Sequence, residues 1–242
     1  MTDNANPVPL RKKSRMQPIV AMKALKTLID DPEQTEQVFI VIKAMSGNAL
    51  EKSFDRFKQT ETGKQILLEQ RRLLTTLQNQ EELRQLEADS LGRHYLNFVE
   101  TEGITADGLV EASQNDDPMQ DPALRLFGER LRDSHDLWHV TTGYGTDTFG
   151  EACLLAFTYA QTRNRGLGII AIVGMFKITQ ELGPEVKKAM WQAYRAGKKA
   201  AWLPEQDWES LLQHPIEEVR QRLNIKPPVK YQEVFEQYSL VS

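Results

Sequence analysis

Cysteine is almost missing from this chain. Cys153 stands alone among 242 residues, which excludes an intramolecular disulfide and any zinc site built on several thiolates. A lone thiol fits a reducing compartment. Long apolar runs are missing too. The longest, LGIIAIVGMF at 167–176, is about half of what a bilayer span needs and reads as a buried helix. Positive charge is not in excess, with 30 Lys and Arg against 34 Asp and Glu. A net charge of −4 and a pI near 5.7 argue against nucleic acid as a partner.

A signal for export is also lacking. MTDNANPVPLRKKSRMQP carries Arg11, Lys12, Lys13 and Arg15, but no apolar stretch follows, so it is not a secretory signal. Asp3, Pro7 and Pro9 disfavour an amphipathic transit peptide. Residues 1–17 read as a flexible, basic, solvated tail that could touch an anionic membrane surface. Strand alternation, internal repeats and low-complexity tracts are missing as well.

What is present is helical punctuation. Pro18 opens a first helix, and Asp31 with Pro32 reads as the start of a second that Gly47 ends. Breaks fall near 79–80 and 88–90, and LGRHYLNFVETEG is a short amphipathic helix stopped by Gly103. QNDDPMQDP, 114–122, is turn-rich. ALRLFGERLRDSHDLWHVTTGYG reads as one long helix, and DTFGEACLLAFTYAQTRNRG as the next, closing on Gly166. Two more helices follow, the second with Pro184 in its first turn. Two short helices and the segment PPVKYQEVFEQY complete the chain. These elements predict one all-α domain over 18–242, of irregularly packed helices.

Within it, HDLWHVTTGYGTDTFGE at 135–151 concentrates potential metal ligands. On a helix, His135 and His139 lie about 40° apart on one face, with Asp136 to the side. Gly143 and Gly145 permit a reversal. Asp147 or Thr148 can cap the following helix, which puts Glu151 in its first turn. Side-by-side packing would turn Glu151 toward the imidazoles, so the motif spans two consecutive helices. Two nitrogens with one or two oxygens suit zinc or ferrous iron. Two plainer readings fit the same residues: a buried histidine bonded to a carbonyl, and a Thr148-x-x-Glu151 capping box. A metalloprotease of the HExxH type is disfavoured because position 136 is Asp. A carboxylate-bridged di-iron bundle needs two ExxH segments, and there is none.

HDxxH with a glutamate after eleven residues resembles the motif of the Coq-four family of ubiquinone-biosynthesis proteins. SLGRHYLNFVE at 90–100, TGKQILLEQ at 62–70 and AYRAGKKAAWLPEQDWESLLQ at 193–213 are similar to further family blocks. The resemblance covers roughly residues 35–225. It implies an all-α fold and a divalent metal, zinc in the family with iron or magnesium as alternatives, on His135, Asp136, His139 and Glu151. It further implies removal of the C1 carboxyl group from a polyprenylated 4-hydroxybenzoate by a metal-dependent carbon–carbon lyase. The other role it implies is non-catalytic: a prenyl-lipid-binding organiser of quinone-biosynthesis enzymes at a membrane surface. The chain has no mitochondrial presequence, so the expectation is a prokaryotic protein, cytoplasmic or peripheral to the cytoplasmic membrane face.

A polyprenyl tail needs an apolar groove, since each buried CH₂ contributes about 0.8 kcal/mol. Gly168, Ala171 and Gly174 could leave room for one lined by Ile170, Val173 and Phe176. Arg93, or Lys198 and Lys199, could meet the acidic head group, although helix pairing and surface solvation explain these charges equally well. An exposed apolar face is compatible with a homodimer.

Overall fold

Short polar side chains set where the helices begin, because each can accept from an amide that the first helical turn leaves without a partner. Thr60, Asn79, Ser90, Asp121, Asp147, Asn164 and Asp207 all do so. The structure is a computed structural model that describes residues 15–31, 34, 36–103 and 121–239. Its helices are α1 (Pro18–Asp30), α2 (Glu36–Ser46), α3 (Ala49–Phe57), α4 (Glu61–Glu69), α5 (Leu73–Gln78), α6 (Gln80–Gln85) and α7 (Leu91–Glu102). They continue with α8 (Pro122–Asp133), α9 (His135–Thr142), α10 (Thr148–Thr162), α11 (Arg165–Leu182) and α12 (Glu185–Lys199). A 3₁₀ turn (Leu203–Glu205) precedes α13 (Trp208–Leu211), α14 (Ile216–Arg222) and α15 (Val229–Ser239). No strand occurs among the described residues, only an isolated bridge between Ser90 and Pro215. The expected all-α, single-domain class is what the chain adopts. Most of the basic tail and of the 114–122 turn lies outside the described residues.

The centre is α10, which packs against α11 on one side and α12 on the other. Small residues make the approach possible. A Cβ on Gly197 of α12 would sit 2.5 Å from the Phe157 carbonyl oxygen of α10, so only glycine fits there. The Gln161 amide then donates to the Gly197 carbonyl at 2.5 Å and accepts from the Leu203 amide at 2.8 Å. Leu91, Tyr95, Leu137, Trp138, Phe157 and Trp208 fill the main core around these helices. α1 and α2 form an outer layer on α11, through Ala24, Val41 and Ile170.

Three boundaries differ from the sequence reading. The long helix through 123–145 is two helices. Ser134 sits at φ −82°, ψ −2°, and its hydroxyl donates to the Leu131 carbonyl at 3.1 Å, which turns the chain so that His135 begins α9. Asp31 closes α1 by donating its amide to the Thr27 carbonyl instead of opening α2. Gly166 does not close α10, which ends at Thr162 with Arg163 left-handed at φ 57°. Gly166 lies in the first turn of α11, where a Cβ would stand 2.4 Å from the Ile42 backbone. The PPVKYQEVFEQY segment, with no assigned structure in the sequence reading, contains α15.

The SLGR block joins distant parts of the chain. Ser90 caps α7, the Leu91 and Gly92 amides donate to the His214 and Leu212 carbonyls at 2.8 and 2.9 Å, and Gly92 leaves the room this needs. α8 is anchored by charge. Arg130, 4% exposed, meets both carboxylate oxygens of Glu209, at 2.5 and 2.9 Å. Removing one member of such a pair leaves the other charge buried and unopposed. Glu209→Ala should therefore cost about 3–5 kcal/mol in urea unfolding, while Arg130→Met with Glu209→Leu should cost far less. Equal losses in the two variants would disprove this account of the pair.

Candidate metal centre

The turn of Ser134 places His135 at the start of α9, one helical turn before His139. At the other end, the Gly143 amide donates to the His139 carbonyl at 2.8 Å with φ at 76°, a left-handed closure that favours glycine. The last carbonyls of α9 are taken from outside. Arg220 of α14 donates Nε to the Thr141 carbonyl and Nη2 to the Val140 carbonyl, both at 3.0 Å. α9 is a short helix fixed at both ends.

α10 starts after the turn at 143–147. Asp147 is its cap, with Oδ1 accepting from the Phe149 and Gly150 amides, each at 3.0 Å. Thr148 is inside the helix, so the capping-box reading of Glu151 does not hold. Glu151 instead turns to the histidines. Its Oε1 lies 3.2 Å from His139 Nε2 and its Oε2 lies 3.9 Å from His135 Nε2. The two Nε2 atoms are 3.2 Å apart. One ligand atom from each of the three residues falls within 4.8 Å of the others.

Tautomer chemistry narrows the use of this arrangement. His139 Nδ1 lies 3.0 Å from the Tyr144 carbonyl oxygen. A carbonyl only accepts, so Nδ1 carries the hydrogen and a neutral His139 presents a bare Nε2. That lone pair faces a carboxylate, and two acceptors confronting one another need a positive charge between them, a proton or a metal ion; His135 Nε2 beside them donates or accepts according to its tautomer. The donor set fits a metal: with bonds of about 2.0–2.1 Å, two tetrahedral ligand nitrogens stand about 3.3–3.4 Å apart. In the metal-free protein a proton meets the same demand. Burial opposes a charge on His139, but the hydrogen bond and charge of Glu151, with the Tyr144 carbonyl and Asp136, hold its pKa above the ordinary value. Burial, then His139, push His135 down to about 4 despite Glu151.

Asp136 is buried at 3% exposure and stands outside the group of three. Burial and Glu151 outweigh His139 and raise its pKa to about 6. Tyr95 of α7, 2% exposed, is near enough that Asp136 adds to the raising of its phenol pKa, after burial. Phe98 stacks on the His139 ring at a centroid distance of 5.7 Å and 21°. Tyr95, Phe98, Arg220 and the Tyr144 carbonyl are parts of the site that sequence spacing does not reveal, because each arrives from another element or through backbone. Burial, first of all, raises the pKa of Cys153 far above the ordinary thiol range, so it stays protonated near neutral pH.

The remaining expected site residues are dispersed. Arg93 donates to the Arg84 carbonyl at the end of α6. Ile170 is buried between α11 and the outer layer, Val173 is half-buried, and Phe176 is 57% exposed; the three do not share one wall. His94 is exposed, and His214 pairs with Glu218 at 3.9 Å. Lys198 lies over the Tyr194 ring at 5.9 Å.

The family described as coenzyme Q (ubiquinone) biosynthesis protein Coq4 matches residues 5–229. A mitochondrial ubiquinone biosynthesis protein COQ4 homolog of Aedes aegypti is 31% identical over 204 residues, covering 81% of this chain and 70% of that protein. COQ4 of Zygosaccharomyces rouxii, also mitochondrial by name, is 28% identical over 230 residues, covering 91% and 65%. Among solved structures, a Nostoc punctiforme protein provisionally assigned to ubiquinone biosynthesis superposes with a TM-score of 0.63 at 21% identity. That match covers 86% of this chain and 98% of the other, and it shows a shared fold. With nearly the whole described fold inside the matched span, the chain belongs to the Coq4 family of ubiquinone biosynthesis proteins.

Proposed function

We propose that this ubiquinone biosynthesis protein holds a divalent metal, zinc in preference to iron or magnesium, on His135, His139 and Glu151. We further propose that it removes the C1 carboxyl group of a polyprenylated 4-hydroxybenzoate. The observation that carries the reading is the convergence of one ligand atom each from His135, His139 and Glu151 to within 4.8 Å of one another. A bound cation there supplies Lewis acidity toward an acidic head group. The protein's own residues do the rest. His135, half-buried, leaves an open side on the site, and Phe98 offers an aromatic face beside it. Loss of CO₂ leaves C1 needing a proton. Asp136, its pKa raised by burial to about 6, carries a proton to deliver below about pH 6 and only a minor fraction of one at pH 7.

The lipid half of the proposal rests on exposed apolar side chains. Ile19, Met22, Phe39, Ile172 and Phe176 are 50–67% exposed, on α1, α2 and α11, of which α2 packs against both of the others. No helix among the described residues is long and apolar enough to cross a membrane, so such a face suits a prenyl tail or a membrane surface, touched from one side. Other quinone-pathway enzymes are the proteins expected to receive the product, and a second copy of the chain could share the same apolar face.

His135→Ala is the sharpest test, because its ring is partly exposed and its loss should leave the fold standing. Elemental analysis should find one metal per wild-type chain and at least a tenfold lower occupancy in the variant. Turnover of a prenylated hydroxybenzoate should disappear while the circular dichroism is unchanged. Undiminished turnover without metal would defeat the catalytic reading. Failure to fold would favour a metal that serves structure in a scaffold.

Asp136 yields a second expectation. Its pKa in the folded protein, about 6, exceeds its ordinary 3.8, so the folded state holds the proton more tightly than the unfolded chain. The stabilisation from that proton is complete below pH 4 and is lost as pH rises through 6, leaving an ionised carboxylate in a buried place at neutral pH. Asp136→Asn should therefore raise the stability of the metal-free protein at pH 7 by up to about 3 kcal/mol. The gain should vanish below pH 4. Urea melts of both proteins at pH 7 and pH 4 measure it, and a loss of stability at pH 7 would refute it.

A further inference from the structure

We infer that Tyr231, on the C-terminal helix, is a positioning residue that sets the relative placement of His139 and Glu151; this rests on the metal-binding reading above. The residues matched to the family end at 229, so the chain supplies this group from beyond that span. Tyr231 is 5% exposed. Its hydroxyl donates to Asp147 Oδ2 at 2.6 Å and accepts from the Gly145 amide at 3.1 Å. The other oxygen of the same carboxylate caps α10, and the Asp147 carbonyl accepts the Glu151 amide at 2.9 Å. The hydroxyl thus holds the residue that starts the helix on which Glu151 lies one turn later.

The ring acts on the other partner. It meets Tyr144 edge-on at 5.5 Å and Phe149 at 5.1 Å. Tyr144 provides the carbonyl that fixes the tautomer of His139. One side chain therefore braces both ends of the turn between the two ligand-bearing helices. Gly145 completes the fit: a Cβ there would stand 2.7 Å from both the Tyr231 hydroxyl and Asp147 Oδ2. α15 is itself held on α12, where Gln192 accepts the Lys230 amide at 2.9 Å.

The test uses the full chain and its Tyr231→Phe, Gly145→Ala and doubly substituted variants. Zn²⁺ affinity is read by competition with a chromophoric chelator, and ligand geometry by the visible spectrum of the Co²⁺ form. Changes to groups that orient metal ligands commonly weaken binding about 10–100-fold, and Tyr231→Phe should fall at the lower end with an altered Co²⁺ spectrum. Because Gly145→Ala disturbs the same contact, the double variant should bind no more weakly than Gly145→Ala alone. Hydrogen exchange of the 149–151 amides in the metal-free chain should quicken in Tyr231→Phe. A lower melting temperature with unchanged affinity and spectrum would reduce Tyr231 to an anchor for the C-terminus and overturn the inference. If the wild type itself takes up no metal, the metal reading fails, and unchanged exchange at 149–151 would then sink the positioning role as well.

Discussion

An electrostatic demand sits at the centre of this molecule. Because the Tyr144 carbonyl takes the Nδ1 hydrogen of His139, the Nε2 of a neutral ring turns a lone pair to a carboxylate 3.2 Å away. Such a contact is repulsive until a cation or a proton enters it. The fold holds the two helices that carry the partners. α9 is closed by Gly143 and by the guanidinium of Arg220, and α10 is started by Asp147. The core behind them is filled by Leu137, Trp138 and Phe157.

The same region contains an unfavourable burial. Asp136 is nearly inaccessible, and burial raises its pKa against the charge of His139. Elsewhere the chain treats buried charge differently: Arg130 is met by both oxygens of Glu209, and Arg71 reaches Asp207 at 2.8 Å. Paired charges behind α8 and a buried carboxylate beside the imidazoles follow different rules, one serving the fold and the other costing it. A strained electrostatic environment confined to one cluster is what a functional site looks like in energetic terms.

The histidine pair and its glutamate were legible in sequence because they depend on local geometry: four residues make a helical turn, and GYG permits a reversal. The all-α class was legible for the same reason, through caps and glycine stops such as Gly47 and Gly103. What spacing could not convey was anything set by contact with a distant element. Ser134 breaks a helix whose hydrophobic pattern runs on unchanged. Gly166 looks like a terminator but is a close-approach residue, because Ile42 lies against it in space. Arg93 looks like an anion ligand, yet it serves the carbonyl end of α6. Ile170, Val173 and Phe176 are neighbours on one helix but face a buried layer, a partial interface and solvent respectively.

The irregularity of the fold has a use in this light. A long-helix bundle places ligands by the register of whole helices, and its metal sites draw on facing side chains far apart in sequence. Here the ligands span seventeen residues of chain, and their geometry is decided by the turn between two helices, one of them very short. A short helix gains little stability from its own hydrogen bonds, so α9 is held at its ends: by its own Gly143 closure, by Arg220 from α14, and by Tyr231 from α15 at the turn that follows. The C-terminal helices, which carry no ligand, thereby belong to the site as much as the motif does. Their contribution is to hold the turn that sets His139 against Glu151.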